Sequence, residues 1–129
     1  MNWKQLTFFA QDLRRHLSMN STKLVNTLAH IVGLLSQRAF DELYRLDQTK
    51  RLLPKYLAEA LDDYGGHVTL PPFPAWDYDF YPFSDSNDVY VDCDLWIDGQ
   101  LSDLTVQCRV HDEAEEGRYA FSIDNIRVM

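Results

Sequence analysis

Val89-Tyr90-Val91-Asp92-Cys93-Asp94-Leu95-Trp96-Ile97-Asp98-Gly99-Gln100-Leu101-Ser102-Asp103-Leu104-Thr105-Val106-Gln107-Cys108-Arg109-Val110 is the stretch that decides the fold. In its first half Val89, Val91, Cys93, Leu95 and Ile97 alternate with Tyr90, Asp92, Asp94 and Trp96. Successive side chains of a strand point to opposite faces, so this alternation predicts a half-buried strand. Leu104, Val106, Cys108 and Val110 alternate with Thr105, Gln107, Arg109 and His111 and predict a second. Asp98-Gly99 between them is a hairpin signal, because a type I′ turn needs positive φ at both central residues. A two-residue turn sets Ile97 opposite Gln100, Cys93 opposite Leu104 and Cys108 opposite Val89; a longer loop shifts that register. With the two-residue turn the sulfurs lie beyond bonding reach, and Cys93 and Cys108 are expected as buried free thiols.

Downstream, Asp112 to Gly117 reads as an acidic loop, and Tyr119, Phe121 and Ile123 begin a third strand. Its apolar phase slips at Asp124-Asn125 and resumes at Ile126 and Val128, which predicts a β-bulge. Upstream, His67 to Leu70 can form a short strand. Pro71-Pro72-Phe73-Pro74 is stiff and extended. Trp76 to Tyr81 mixes aromatic and acidic residues, and Pro82 confines that segment to an edge or an irregular strand.

The first half of the chain has a different period. Trp3, Leu6, Phe9 or Ala10, Leu13 and Leu17 recur at helical spacing. A second helix follows an N-cap within Ser18 to Ser21, with a stripe of Leu24, Leu28, Ile31, Leu35 and Ala39, widened by Val25, Val32, Leu43 and Leu46. A third runs from Pro54 to Tyr64, with Gly65 as its left-handed C′ residue. Helices first and strands after predict an α+β domain, with three N-terminal helices packed on one face of a C-terminal antiparallel β-meander of three to five strands. One domain spanning residues 1–129 is expected, helical over residues 1–66 and an acidic β-sheet over residues 67–129.

Charge divides the same way. Residues 1–60 hold nine Lys and Arg against five Asp and Glu; residues 61–129 hold three against fifteen, for a net charge of −8. Such a surface repels phosphate backbones and anionic lipid, so neither nucleic acid nor membrane is expected as a partner. No apolar run reaches the roughly 18 residues of a membrane span. Met1-Asn2-Trp3-Lys4-Gln5 carries no signal-peptide pattern, so a cytoplasmic location is expected.

The sequence holds no Gly-x-Ser-x-Gly elbow and no Gly-rich phosphate loop. His16, His30, His67 and His111 show no metal-ligand spacing. No enzyme, catalytic residue, cofactor or metal is therefore expected. Asp92 and Asp94 share one strand face, and Asp77 and Asp79 can do the same. Paired carboxylates can hold a divalent cation or raise a pKa for acid–base work, but alternation alone also produces such a solvated face. Trp96 lies on the Asp92–Asp94 face, where an aromatic anchor ringed by acid suits an Arg- or Lys-bearing partner. The aromatic residues between Pro71 and Phe83 either cover the sheet or pack on a second subunit.

Val91 to Trp96, Ser102-Asp103-Leu104-Thr105-Val106 and Ile123 to Val128 together resemble an uncharacterised family of small bacterial α+β domains. Tyr64-Gly65 and Pro71-Pro72 fit the same pattern, so the likeness spans Arg51 to Met129. The chain departs from it at Ile97, at the turn Asp98-Gly99-Gln100-Leu101 and at Asn125-Ile126-Arg127. Some members resemble immunity proteins of polymorphic toxin systems. That resemblance implies a protein that binds and neutralises a cognate toxin domain, basic and nuclease-like, as a monomer or weak homodimer. The expected contacts are Asp92, Asp94, Trp96, Asp98 and Asp103, with Asp77, Asp79, Asp112, Glu113, Glu115 and Glu116 on the rim. A small-ligand or divalent-metal domain built on the paired aspartates, and a homodimeric assembly module, are the alternatives.

Overall fold

The computed structural model describes residues 19–72 and 76–129, with Ala114 and Glu115 described by backbone only. The expected helix from Trp3 to Leu17 lies outside the described residues. The elements are α1 (Ser21–Ser36), α2 (Phe40–Leu46), α3 (Pro54–Tyr64), β1 (Val68–Thr69), β2 (Tyr78–Pro82), β3 (Val89–Ile97), β4 (Gln100–Glu115) and β5 (Arg118–Val128). The fold is α+β, three helices followed by a five-stranded antiparallel sheet.

Asn20 caps α1, its Oδ1 accepting from Thr22 N at 2.8 Å and Lys23 N at 3.1 Å. The predicted second helix is two helices, α1 and α2. Arg38 adopts φ 55, and Ala39 N donates to Leu34 O at 2.9 Å while Arg38 N donates to Leu35 O at 3.1 Å. This bonding is a Schellman end with Arg38 at the position glycine usually fills. The left-handed backbone is costly for a side-chain-bearing residue. Arg38 gains contacts there, lying 5.0 Å from the Phe40 ring and 3.0 Å from Asp62 Oδ1. The hydrophobic stripe runs straight through this corner, so periodicity alone could not reveal it. α3 begins on Pro54 and ends at Gly65, φ 91, as its sequence predicts.

In the sheet, β3 pairs with β4 on one side and with both β2 and β1 on the other; β5 lies beyond β4. Asp98 and Gly99 have φ 51 and 77, and Ile97 faces Gln100, as a two-residue type I′ turn requires. The register then shifts between Asp94↔Thr105 and Trp96↔Leu101. Leu95 is left against Ser102, Asp103 and Leu104. Ser102 Oγ donates to Leu95 O at 2.6 Å and accepts from Leu104 N at 3.2 Å, so a side chain replaces some of the interrupted ladder. This bulge corrects the expected pairing of the cysteines. Cys93 faces Val106, and Cys108 faces Val91. Both thiols are free and buried.

The bulge predicted in the last strand is present: Gln107 pairs with Asn125 and Cys108 with Ile123, leaving Asp124 as the extra residue. The expected loop from Asp112 to Gly117 is mostly strand. β4 continues to Glu115, and the turn tightens to Glu116 and Gly117, with φ 37 and 84. The register shifts between Val110↔Phe121 and Ala114↔Tyr119, so the alternation signal breaks while the pairing continues.

Buried side chains from all three helices and from β1, β3, β4 and β5 form one cluster, including Leu28, Ile31, Leu35, Leu43, Leu57, Val91, Val106 and Ile123. Trp76, Tyr78 and Phe80 pack against it. Among the described residues no helix is long and apolar enough to cross a membrane.

Candidate functional site

The face of the sheet opposite this cluster follows from the register. Asp79, Asp92, Gln107 and Asn125 form one cross-strand row. Tyr81, Tyr90, Arg109 and Ser122 form the next on one side; Asp94, Thr105 and Arg127 form the next on the other. Thr69, Trp96 and Leu101 close the hairpin end.

Asp92 and Asp94 are half-buried, and neither is idle. Gln107 Nε2 donates to Asp92 Oδ1 at 3.1 Å, and Thr105 Oγ1 donates to Asp94 Oδ1 at 2.8 Å. Asp79 is exposed and stands directly opposite Asp92. Like charges so placed repel by about 0.2–1 kcal/mol. Asp77 is exposed beside them, its carbonyl accepting from Asp94 N at 3.1 Å. β3, β2 and the residue before β2 thus collect four carboxylates, and the two on β3 each take a neutral donor. Charge on the edge strand also deters pairing with another sheet.

Trp96 is half-buried, and among the described residues its Nε1 is enclosed with no hydrogen-bond partner. Asp98 is built into the turn: its Oδ1 accepts from His67 N at 3.0 Å, and its own N donates to His67 O at 2.8 Å. Asp103, in the β4 bulge, accepts from Tyr64 OH at 2.8 Å. Asp112, Glu113 and Glu116 are exposed at the other end of β4, roughly 35 Å from Asp98 at about 3.3 Å per residue. The Glu115 side chain lies outside the described ones. The structure therefore brings Asp77, Asp79, Asp92 and Asp94 together and sets the remaining predicted rim residues well apart.

One basic side chain from the helical half reaches this face. Arg51 pairs with Asp124, which also accepts from Tyr90 OH at 3.0 Å. Burial, then the Asp124 carboxylate, pushes the Tyr90 phenol up to about 12. Burial, then the Asp94 and Asp77 charges, pushes the Cys93 thiol up to about 12, and burial raises Cys108 as well. Neither thiol is poised as a nucleophile. Among the described residues no three His, Cys, Asp or Glu side chains form a metal-holding group.

A second polar cluster was not legible in the sequence. Asp88, in the turn before β3, receives Arg109 Nε at 2.9 Å and Nη2 at 2.8 Å, Asp112 N at 2.8 Å and the His111 ring at 3.2 Å. Burial alone would raise its carboxyl. The bonds from Asp112, Arg109 and His111 outweigh that and hold it below the ordinary carboxylate value. Arg109 also lies 3.9 Å over the Phe83 ring. His111 Nε2 meets Ser122 Oγ at 2.8 Å. Ser-Asp-Ser-Asn-Asp at 84–88 announces only a turn, and His111 and Ser122 fill ordinary outward positions of their strands.

The family described as Domain of unknown function (DUF7668) matches residues 32–129. The chain belongs to this family. The match takes in the last turn of α1, from Val32, then α2, α3 and every strand, so it reaches further toward the N-terminus than the resemblance from Arg51 implies. No curated protein and no solved structure matches the chain.

Proposed function

We propose that this DUF7668 member is a cytoplasmic binding protein whose acidic sheet face neutralises a basic partner, in the manner of an immunity protein against a nuclease-like toxin domain. In this reading the helices back one face of the sheet and leave the opposite face to the partner. The observation that carries it is the cross-strand apposition of Asp79 and Asp92, flanked by Asp77 and Asp94. Such repulsion is a cost to folding that an arriving Arg or Lys would relieve. Exposed Tyr81 belongs to the next pair on the same face and offers a ring to the same cation. Opposite charge also accelerates encounter, and the role needs no chemistry of its own.

The test is co-purification and titration calorimetry with the product of the adjacent reading frame, using the wild type and Asp77→Lys/Asp79→Lys. These two side chains are exposed, so their reversal leaves the Gln107 and Thr105 bonds in place. A stable complex that weakens at least tenfold on reversal, with a melting temperature no lower than that of the wild type, supports the assignment. Absence of a complex, or an affinity indifferent to reversal, removes it.

A further inference from the structure

Three segments bring Asp88, His111 and Ser122 into line. His111 Nε2 lies 2.8 Å from Ser122 Oγ, and His111 Nδ1 lies 3.2 Å from Asp88 Oδ2. An ionised carboxylate can only accept, so Asp88 selects the tautomer protonated at Nδ1. The Nε2 lone pair is then left to the Ser122 hydroxyl. Asp88 itself is fixed by Arg109 and by the Asp112 backbone, so the imidazole is aimed by a rigid group. Nucleophile, base and orienter at these separations form the arrangement that activates a serine hydroxyl. We propose that Ser122 is an activated nucleophile toward small acyl or phosphonyl electrophiles, with His111 as its base and Asp88 as a positioning residue.

With a small ester, Ser122 Oγ bonds to the acyl carbon while its proton passes to His111 Nε2. The bond to the alcohol then breaks, and that proton leaves with the alkoxide. Water, deprotonated by His111, hydrolyses the acyl-serine to the acid and restores the hydroxyl. Ser122 is 5% exposed and the His111 side chain 21%, a burial that restricts the class to small reagents. This activity is separate from partner binding and stands or falls without it.

The wild-type protein is incubated near neutral pH with a dialkyl fluorophosphonate, then analysed by intact mass and peptide mapping. The expected result is one adduct, on Ser122, formed as fluoride leaves. His111→Gln, verified as folded by circular dichroism, is expected to label about a hundredfold more slowly, the size of a lost general base. A folded wild type that stays unmodified overturns the proposal, as does an adduct on another residue. Equal labelling of a folded His111→Gln removes the base assignment. A loss of stability in Ser122→Ala without labelling of the wild type identifies the cluster as a clasp between strands.

Discussion

Asp47 Oδ2 accepts the backbone N–H of Ile123 at 3.2 Å, so a carboxylate after α2 closes the open edge of β5 from 76 residues away. Its other oxygen accepts from Thr49 N, Thr49 Oγ1 and Lys50 N at 3.0, 3.3 and 3.1 Å. Two more contacts seal the same edge. Tyr119 N donates to Thr27 Oγ1 at 2.8 Å, and Gln48 N donates to Phe121 O at 3.0 Å. An edge strand left bare would pair with other chains, and a buried N–H without an acceptor would cost stability.

Asp47 is 2% exposed, and truncation strands several donors at once. Asp47→Ala is expected to cost about 2–4 kcal/mol in urea unfolding, the range for a buried group that leaves its partners unsatisfied. A cost under about 0.5 kcal/mol, typical of a surface change, would show that the edge is held by other contacts.

Gly66 has φ 76, and a Cβ there would lie 2.6 Å from Ile97 Cγ2 and 2.7 Å from Asp98 Oδ2. Gly65 has φ 91 and open space around it. Both alanine substitutions suffer backbone strain of about 1 kcal/mol or more, and Gly66→Ala adds a clash with the hairpin. Thermal melts should therefore rank wild type above Gly65→Ala and Gly65→Ala above Gly66→Ala. The reverse order of the two variants would contradict the close approach of Gly66 to Ile97.

Asp88 supplies a pH dependence whose sign is fixed. Its folded pKa is lowered, so its contribution is complete above the unfolded value of about 3.9 and fades as pH falls through the lower folded value. The stability difference between wild type and Asp88→Asn should be flat near neutrality and shrink in that acid window. A difference that instead changes only between pH 6 and 8 would assign the titration to a different group.

Cys93 is held protonated near neutrality by a pKa of about 12, and burial raises Cys108 too. A disulfide reagent at pH 8 is expected to find both thiols slow in the native protein, and fast at both once urea unfolds it. A rapid native reaction would place at least one sulfur at the surface.

Asp79→Asn removes one member of the Asp79–Asp92 pair without touching the core. Stability should rise by a few tenths of a kcal/mol, while affinity for a basic partner of the proposed kind falls. A fall in stability would show that Asp79 has a cationic partner in solution.

Local patterns determined the elements. The alternation through Val89 to Ile97, the Asp98-Gly99 turn, the Pro54 start and Gly65 end of α3 and the slip at Asp124 are legible because each depends on one residue and its immediate neighbours. Tertiary structure decided the rest. Arg38 turns the chain and its guanidinium meets Phe40 and Asp62, Ser102 sits in a bulge that shifts the cysteine register by two residues, and Asp47 finds Ile123. The acidic face was visible as a composition, but only the register sets Asp79 against Asp92 and draws Asp88, His111 and Ser122 into one line. A side chain's own period tells which face it occupies. Its partners across the sheet depend on bulges and turns whose combined offset no single segment encodes.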